Sequence, residues 1–393
     1  MKTLKHPIIF VFILTILNSC RFHYEVNWYN DSDIEPVSLV QAARFDDALK
    51  TMIKNHDINT AGIGIIKGGV LVWEGYYGEQ YPGTAASEYT LFNVASITKT
   101  VAAETVLRLV ADGQLSLDES MSKYWVDPDI KNDPRHHLLT PRMVLNHNTG
   151  FLNWRFFSAD GKLELINEPG EQFGYSGEGF EYLAKYVELK LGKPFETIVD
   201  EVLFKPLGMS NTFITAQEGN HQSIAKPTSA AGDFYGYYCR PEGWCSPEGQ
   251  LSVADDMVTT VRDYAKFMIS AMHGIGLNKK LMKQRIDINE DLASKKQIDC
   301  KLNPKAECPI EQGYGLGWYI NEPNGNQLVG HGGADWSEIS QAYYYSGSHD
   351  GVIIFLNAAG KNALNGMIET LQIIDPKSAL LHEYNRWLLN SNK

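Results

Sequence analysis

A serine and a lysine stand three positions apart at the start of an apolar helical pattern, at Ser96 and Lys99. In a helix, residues at this spacing lie on one face, so the lysine amine can reach the serine hydroxyl. A helix N-terminus also presents unpaired backbone N–H groups and positive dipole charge, which stabilise an alkoxide or an oxyanion. The pattern therefore predicts a serine nucleophile for acyl transfer at position 96.

The same four-residue spacing occurs twice more, at Ser120–Lys123 and at Ser223–Lys226. The first lies in a polar turn, and the second runs into Pro227, through which a helix does not comfortably continue. Only the serine at position 96 precedes a long apolar helical pattern, from Val101 to Val110. The context therefore selects Ser96 among the three.

A serine hydroxyl needs a base before it can attack a carbonyl carbon. The chain has no Gly-x-Ser-x-Gly elbow that would supply the usual histidine arrangement. A lysine can act as the base where burial and neighbouring positive charge disfavour its charged form. Lys99 fits this requirement because it lies on an apolar helix.

The composition is that of a folded globular chain, with 44% hydrophobic and 21% charged residues among 393. This length suits two or three average domains, or one α/β enzyme domain with insertions. The formal net charge of −12, without a basic block, argues against nucleic-acid binding and against electrostatic docking on anionic lipid.

Residues 1–20 resemble a bacterial lipoprotein signal peptide, with an apolar run from Ile8 to Leu17 that is followed by Asn18, Ser19 and Cys20. A run of about ten apolar residues is too short to span a bilayer as a helix. We expect Cys20 to be lipidated and the polar residues 21–36 to form a tether. Plain secretion, or a buried Cys20, is the alternative. The expected location is the bacterial cell envelope, facing the periplasm or the cell surface, with the lipid anchor as the only membrane contact.

Four further cysteines fall into two close pairs, Cys239 with Cys245 and Cys300 with Cys308. An even number of cysteines in an exported chain indicates disulfides, and we expect these two pairs. Four reduced thiols are the alternative. A cysteine metal site is less favoured because the Cys-x-x-Cys spacing is absent.

The elements that must position the nucleophile alternate between sheet and helix. Hydrophobic periodicity predicts helices at 38–55 and 378–389, mainly helical structure from 96 to about 268, and strands at 61–66, 70–77, 314–320, 327–329, 339–345 and 352–357. We therefore predict one α/β (α+β) domain over residues 37–390. Its antiparallel sheet part covers 37–95 and 312–390 and is flanked by the N- and C-terminal helices, and its mainly helical insertion covers 96–311.

Seven ordered segments carry a resemblance to a known family: residues 92–100 around the nucleophile, 113–118, 145–151, 169–177, 206–209, 314–318 and 330–333. Over about Val37 to Asn357 the chain resembles the penicillin-binding-protein-like serine hydrolases, which include class C β-lactamases, DD-peptidases, D-aminopeptidases and related esterases. The resemblance implies the β-lactamase/transpeptidase-like fold and a serine acyl hydrolase without a metal or an organic cofactor.

The family's second box is usually Tyr-x-Asn, and here it reads Tyr175-Ser176-Gly177. The resemblance implies that Tyr175 shares proton transfer with Ser96 and Lys99 in one coupled network. Gly177 lacks the asparagine amide that helps to hold an amide or β-lactam substrate. Losing one buried polar contact costs about 1–3 kcal/mol, so we expect a changed substrate preference and weak β-lactamase activity.

The third box, Lys-Thr-Gly in many relatives, reads His331-Gly332-Gly333. It resembles the His-x-Gly of D-aminopeptidases and some esterases, which implies that His331 faces the substrate or the Tyr175 hydroxyl from the sheet edge. Gly333 belongs to the same substrate-binding edge. Ala334 would supply a backbone N–H that joins the Ser96 N–H in an oxyanion hole.

The remaining histidines and tryptophans have weaker signals. His147 lies in a family box, and we expect it to shape a loop; His136 and His137 lack metal-site spacing. Three tryptophans are candidates to line the cleft or to pack in the core: Trp154, Trp244 and Trp336.

Together these features predict a lipid-anchored monomeric serine hydrolase that forms an acyl-enzyme at Ser96 and cleaves small esters or amides, including peptides with D-residues. A β-lactamase or DD-carboxypeptidase proper is the first alternative. A non-catalytic lipoprotein that binds peptidoglycan or β-lactams is the second. The complete set of Ser96, Lys99, Tyr175 and His331 favours an enzyme, because a binding protein need not keep a proton-transfer set.

Overall fold

The computed structural model describes residues 37–229, 231–246, 250–289, 292 and 299–391. The predicted signal peptide at 1–20, with Cys20, and the tether at 21–36 lie outside these residues. Within the described ranges, none of the helices combines the length and apolar character that a membrane span requires.

An eight-stranded antiparallel sheet forms the central layer, in the order β3-β2-β1-β11-β10-β9-β8-β7, and β4, β6 and β5 form a small second sheet. The strands are β1 (Thr60–Lys67), β2 (Val70–Tyr81), β3 (Thr84–Ala85), β4 (Phe92–Asn93), β5 (Thr212–Phe213), β6 (Val258–Thr259), β7 (Glu311–Tyr314), β8 (Tyr319–Glu322), β9 (Leu328–Ala334), β10 (Glu338–Tyr345) and β11 (Gly351–Asn357).

Helices cover both faces of the sheet. They are α1 (Leu39–Asn55), α2 (Thr98–Ala111), α3 (Pro141–Leu145), α4 (Gly177–Leu191), α5 (Phe195–Val199), α6 (Lys205–Leu207), α7 (Val261–Met272), α8 (Lys279–Ile286), α9 (Gly360–Ile374) and α10 (Leu380–Asn390). The first and the last two pack on one face, whereas α2, α4 and α7 belong to the core of the other. The predicted antiparallel sheet with flanking N- and C-terminal helices is confirmed.

Strand β11 shows why the centre of the sheet is apolar on both sides. Ile353 and Phe355 belong to the core under α2 and α7, whereas Val352, Ile354 and Leu356 belong to the core under α1 and α9. Successive side chains of a strand point to opposite faces, so a strand between two helical layers must be apolar throughout.

The predicted strand over residues 314–320 is wrong as a single element, because β7 ends at Tyr314 and β8 begins at Tyr319. The turn between them needs glycine: Gly317 has φ of 80°, and a Cβ on Gly315 would lie 2.0 Å from the Arg285 carbonyl oxygen. Trp318 follows the turn and is fully buried. The break matters for function because it places Tyr314 beside the candidate site.

Candidate active site

Ser96 lies in a short 3-10 turn, Ala95–Ile97, that runs directly into α2. Ala95 has φ of 46°, a left-handed conformation that a residue with a side chain adopts only when its surroundings impose it. The Asn93 Oδ1 accepts the Ala95 N–H at 2.9 Å, and the Thr98 hydroxyl donates to the Ala95 carbonyl at 2.6 Å. These bonds hold the serine on a sharp turn at the entrance of the helix.

Lys99 is fully buried and reaches the predicted nucleophile. Its Nζ lies 3.1 Å from Ser96 Oγ and 2.9 Å from the Ala254 carbonyl oxygen. Three aromatic rings lie 5.0–5.8 Å from Nζ: Trp154, Tyr175 and Phe180. Among the described residues, no carboxylate is close enough to Lys99 for an ion pair. The amine is thus held by the serine, one carbonyl and aromatic faces.

Tyr175 lies immediately before α4, with Ser176 as the N-cap of that helix. Its ring centroid is 5.0 Å from Lys99 Nζ and 4.3 Å from the imidazole of His147, on which it stacks. The structure therefore brings Ser96, Lys99 and Tyr175 together, although 76 residues of sequence separate the lysine and the tyrosine.

His147 holds the tyrosine segment in place. Its Nδ1 accepts the Ser176 N–H at 3.1 Å, and its ring packs against Tyr175. Burial lowers the pKa of His147 well below its ordinary value, and the positive charge of Lys99 and the nearby His331 lower it further. The imidazole is therefore neutral. The loop that it was expected to shape is the segment that carries Tyr175 and Ser176.

The third box lies within strand β9, which passes directly against the nucleophile turn. A Cβ on Gly333 would lie 2.2 Å from the Val94 carbonyl oxygen and 3.0 Å from the Ser96 nitrogen. Glycine is therefore required here for close approach of two backbones.

The Ala334 N–H lies on the free side of β9. The Asp335 N–H donates to the Glu338 carbonyl on β10 at 2.9 Å. Because facing pairs alternate in an antiparallel ladder, the Ala334 N–H points away from β10. On that other side β8 does not extend as far as Ala334, because its pairing with β9 reaches only to Gly330, which faces Tyr319. This orientation suits the oxyanion donor predicted at Ala334.

His331 is a neutral acceptor at the edge of the site. Its Nδ1 donates to the Gly332 carbonyl at 2.5 Å, which leaves the Nε2 lone pair 3.4 Å from the Tyr314 hydroxyl. Burial, helped by the charge of Lys99, lowers the pKa of His331 to about 3. Burial raises the pKa of Tyr314 well above its ordinary value, so the phenol keeps its proton and can donate to Nε2. The His331 and Tyr175 ring centroids are 6.1 Å apart.

Sequence reasoning missed two groups of this site. Tyr314 stands in a segment that carried the resemblance, but nothing in its spacing pointed to His331. The Ala254 carbonyl contacts Lys99 across a separation of 155 residues, and no sequence signal could have found a backbone contact of this kind.

Comparisons with known proteins show the family of this chain. A sequence model of the family described as "Beta-lactamase" matches residues 45–371, which is most of the chain. The chain therefore belongs to the β-lactamase family. The family resemblance expected from sequence is confirmed.

Individual members of the β-lactamase family are distant relatives. Esterase EstB of Burkholderia gladioli is 27% identical over 208 residues, which cover 45% of this chain and 52% of the esterase. A β-lactamase of Pseudomonas fluorescens is 24% identical over 250 residues, which cover 60% of this chain and 66% of that protein. The chain thus spans about half to two thirds of the length of these curated relatives.

A solved structure of the same fold is the octameric penicillin-binding protein homologue from Pyrococcus abyssi. It has a TM-score of 0.67 and 20% sequence identity, and the superposition covers 86% of this chain and 78% of that chain. At this identity the likeness concerns the fold.

Gly177 marks the clearest departure from the usual second box of the β-lactamase family. A Cβ at this position would lie 2.6–2.9 Å from three carbon atoms of the Trp154 indole. The indole therefore takes the space in which a side chain at position 177 would begin. The family's asparagine amide is replaced by an aromatic wall, and this wall lies 5.8 Å from Lys99 Nζ.

We expect Gly177→Asn to lower the free energy of unfolding by about 1–3 kcal/mol, because the new side chain overpacks against the indole. Adding Trp154→Ala to this variant should recover part of the loss, with a coupling free energy of about 1 kcal/mol or more between the two positions. Urea unfolding of the four proteins in this double-mutant cycle measures it.

Gly179→Ala is the matched control for this cycle, since its Cβ would lie at ordinary contact distance, 3.5 Å, from the nearest atom. Strictly additive effects of the changes at positions 177 and 154 would contradict the steric exclusion.

A network of carboxyl groups lies behind Lys99 in this β-lactamase-family site. The Ser252 hydroxyl oxygen lies 2.6 Å from Glu181 Oε1 and also contacts the Asp255 carboxylate. One hydroxyl hydrogen cannot serve two carboxylates, so one of the two acids carries a proton. Burial is the main cause that raises the pKa of Glu181 to about 8, and the charge of Asp255 adds to it. Glu181 is therefore the protonated member at neutral pH.

We expect this proton to make stability depend on pH. Between about pH 4.5 and pH 8 the folded state keeps a proton on Glu181 that the unfolded state releases, so stability falls as pH rises through this window. Glu181→Gln removes the ionisation, and it should raise the free energy of unfolding at pH 9 by about 1–3 kcal/mol while changing it little at pH 4.

Urea unfolding of wild type and Glu181→Gln at both pH values measures this difference. Glu201→Gln is the control, because that surface carboxylate is paired with Lys193. A gain from Glu181→Gln that is equal at pH 4 and pH 9 would contradict the assignment of the proton.

Proposed function

We propose that this chain is a serine acyl hydrolase that forms an acyl-enzyme at Ser96 and acts on small esters or amides. The observation that carries the proposal is the 3.1 Å contact between a fully buried lysine amine and the serine hydroxyl at a helix entrance. The esterase activity named for one relative supports the same class of reaction.

The geometry supports the following sequence of steps. The Ser96 Oγ gives its proton to the Lys99–Tyr175 pair while it forms a bond to the substrate carbonyl carbon. The carbonyl oxygen becomes an oxyanion, which the Ser96 and Ala334 N–H groups stabilise. The pair then returns the proton to the leaving oxygen or nitrogen as its bond to carbon breaks, which leaves an ester on Ser96.

Deacylation uses the same groups. A water molecule gives its proton to the Lys99–Tyr175 pair as its oxygen attacks the acyl carbon. When the second tetrahedral intermediate collapses, the proton passes to Ser96 Oγ and the acid product leaves. His331 is neutral throughout and acts as a hydrogen-bonding group at the substrate edge, because its low pKa excludes an imidazolium at neutral pH.

Esters are the preferred substrates in this proposal. The indole of Trp154 stands where a side chain at position 177 would begin, so the site lacks an amide there to hold an amide or β-lactam substrate. Rapid hydrolysis of the β-lactam nitrocefin would overturn this preference while leaving the serine hydrolase class intact.

A fluorophosphonate probe tests the nucleophile directly. Wild type should be labelled and should release p-nitrophenol from p-nitrophenyl butyrate, and Ser96→Ala should do neither. Ser120→Ala is the matched control, since it removes the serine of another Ser-x-x-Lys pattern and should retain both signals. The hydrolase proposal is falsified if Ser96→Ala is labelled and turns over as wild type does.

We further propose that Cys20 is lipidated and that the domain over residues 37–390 acts as a monomer in the bacterial envelope. The support is the signal-like pattern of residues 1–20. Cys20→Ser should release the protein from the membrane fraction. Light scattering of the released form tests the monomer, against the octameric state named for one structural homologue.

A further inference from the structure

A cage of three aromatic rings surrounds the guanidinium of Arg240. Its central carbon lies 4.8 Å from the ring of Phe156, 4.8 Å from that of Trp244 and 5.7 Å from that of Trp336. The three rings come from separate segments, and each is 45–55% exposed. The cage is therefore open to solvent on one side.

The cage stands on a rigid support. The Cys239–Cys245 disulfide closes the loop that carries Arg240 and Trp244, and the Arg240 N–H donates to the Trp244 carbonyl at 2.7 Å. The Tyr238 hydroxyl donates to the Asp256 carbonyl at 2.6 Å, which ties this loop to the segment that contacts Lys99. The backbone that carries Arg240 is thus tied to the active-site segment.

The cage borders the candidate active site on two sides. Phe156 stacks on Trp154 with ring centroids 6.1 Å apart, and Trp154 lies 5.8 Å from Lys99 Nζ. Trp336 follows Ala334, the predicted oxyanion donor, by two residues, and the Ser337 and Tyr235 hydroxyls are hydrogen-bonded at 2.6 Å. Arg240 therefore lies beside the candidate active site, between Trp154 and the end of β9 at Ala334.

The in-plane N–H donors of Arg240 have no acceptor among the described residues. Aromatic stacking occupies the two faces of a guanidinium and leaves its edge donors available. The nearest acid in sequence to the cage, Asp335, accepts the Trp336 N–H at 2.9 Å and makes no ion pair with Arg240. Burial, helped by the charge of Asp255, raises the pKa of Asp335 to about 6, and the arginine charge offsets only a small part of this rise. A planar fork of free donors suits a carboxylate, which it binds through two parallel hydrogen bonds.

We propose that Arg240 and its aromatic cage form an anion subsite that binds a carboxylate on the substrate, remote from the carbonyl that Ser96 attacks. This inference rests on the proposed function for its catalytic meaning, but the binding it predicts does not require turnover. The substrate class is then an ester or amide that carries a free carboxylate and an apolar or aromatic portion that lies along Trp154 and Phe156.

A binding experiment tests the subsite without any catalysis. The Ser96→Ala protein is titrated with 4-phenylbutyrate and with its neutral analogue 4-phenylbutyramide, and tryptophan fluorescence or calorimetry reports binding. The carboxylate should bind at least about tenfold more tightly than the amide, as expected for a charge-assisted bidentate contact. Adding Arg240→Met should abolish this difference, whereas Arg240→Lys should keep part of it.

A kinetic experiment then relates the subsite to turnover. Two ester series are compared, one with a carboxylate or its methyl ester on the acyl chain and one with the same pair of groups on the leaving phenol. Wild type should prefer the anionic member of one series by about tenfold or more in kcat/KM, and Arg240→Met should remove that preference, measured as the ratio of kcat/KM for the anionic and the neutral member of that series.

Arg262→Met is the matched control, because Arg262 is a surface arginine of α7 that forms an ion pair with Glu74 of β2. Equal affinity of Ser96→Ala for the acid and the amide would overturn the subsite, whatever the enzyme hydrolyses. Normal turnover of neutral esters with no preference in either series would also overturn it and would leave the proposed function standing. Tight carboxylate binding with no turnover of any ester would overturn the function and keep the subsite.

Discussion

Lys99→Met is expected to lower kcat/KM for p-nitrophenyl butyrate by about 10³ to 10⁴, the range associated with loss of a positioned general base. The reason is geometric: the amine is 3.1 Å from Ser96 Oγ, and no other base among the described residues contacts this hydroxyl. The loss should appear in kcat, since the lysine acts on the proton of the nucleophile and not on substrate binding.

The same variant should keep or raise the free energy of unfolding. Methionine has a similar volume, and it replaces a buried amine that has no carboxylate partner among the described residues by an apolar group. Urea unfolding and steady-state kinetics measured together separate the two effects. Lys123→Met, from a second Ser-x-x-Lys pattern, is the control. Activity within tenfold of wild type would remove Lys99 from the mechanism.

Gly333→Ala is expected to lower kcat by about 10² to 10³, comparable to the loss of one oxyanion-hole donor. The added Cβ would lie 2.2 Å from the Val94 carbonyl oxygen, so β9 has to move away from the nucleophile turn. Because the Ala334 N–H lies on the next residue, this movement displaces the donor from the position of the oxyanion. KM should change little, since the interaction forms mainly in the transition state.

Gly332→Ala provides a matched control one residue earlier on the same strand. Its Cβ would meet side-chain atoms first, the nearest being Gln341 Oε1 at 3.0 Å, and these can shift by a few tenths of an ångström. Kinetics on p-nitrophenyl butyrate should show nearly wild-type turnover for this variant. Equal losses at the two positions would indicate that general damage to the strand, and not the contact with the Ser96 turn, causes the effect.

Elements of the fold and of the site could be predicted from the sequence where their pattern was local or periodic. The apolar run of β11 and the pattern before and after Ser96 led to the sheet and to the nucleophile helix. The family and the fold are confirmed. The break at Gly315 and Gly317 was missed because the flanking residues continue a strand-like pattern, and only the close approach of Arg285 shows why glycine stands there.

Contacts between residues that are far apart in the sequence could not be predicted from it. Gly177 departs from the usual box, but the indole that fills its place lies 23 residues earlier, and packing alone brings the two together. Helix α9 was not predicted, partly because Gly366 weakens the helical pattern. A Cβ at position 366 would lie 2.9 Å from Ile58, so this glycine lets α9 pack closely on the segment between α1 and β1. Neither relation has a spacing that a pattern can reveal.

The left-handed backbone of Ala95 lowers the stability of the fold, but it also fixes the turn that positions the catalytic serine. Glycine would relieve this conformation, so a selection for thermal tolerance should favour Ala95→Gly, with a gain of roughly 1 kcal/mol. The same change would let the backbone of the turn adopt other dihedral angles, and the Ser96 hydroxyl would be positioned less precisely. Directed evolution for heat resistance alone should therefore yield variants with glycine at position 95 that are more stable and have a lower kcat. Selection for turnover should retain the alanine.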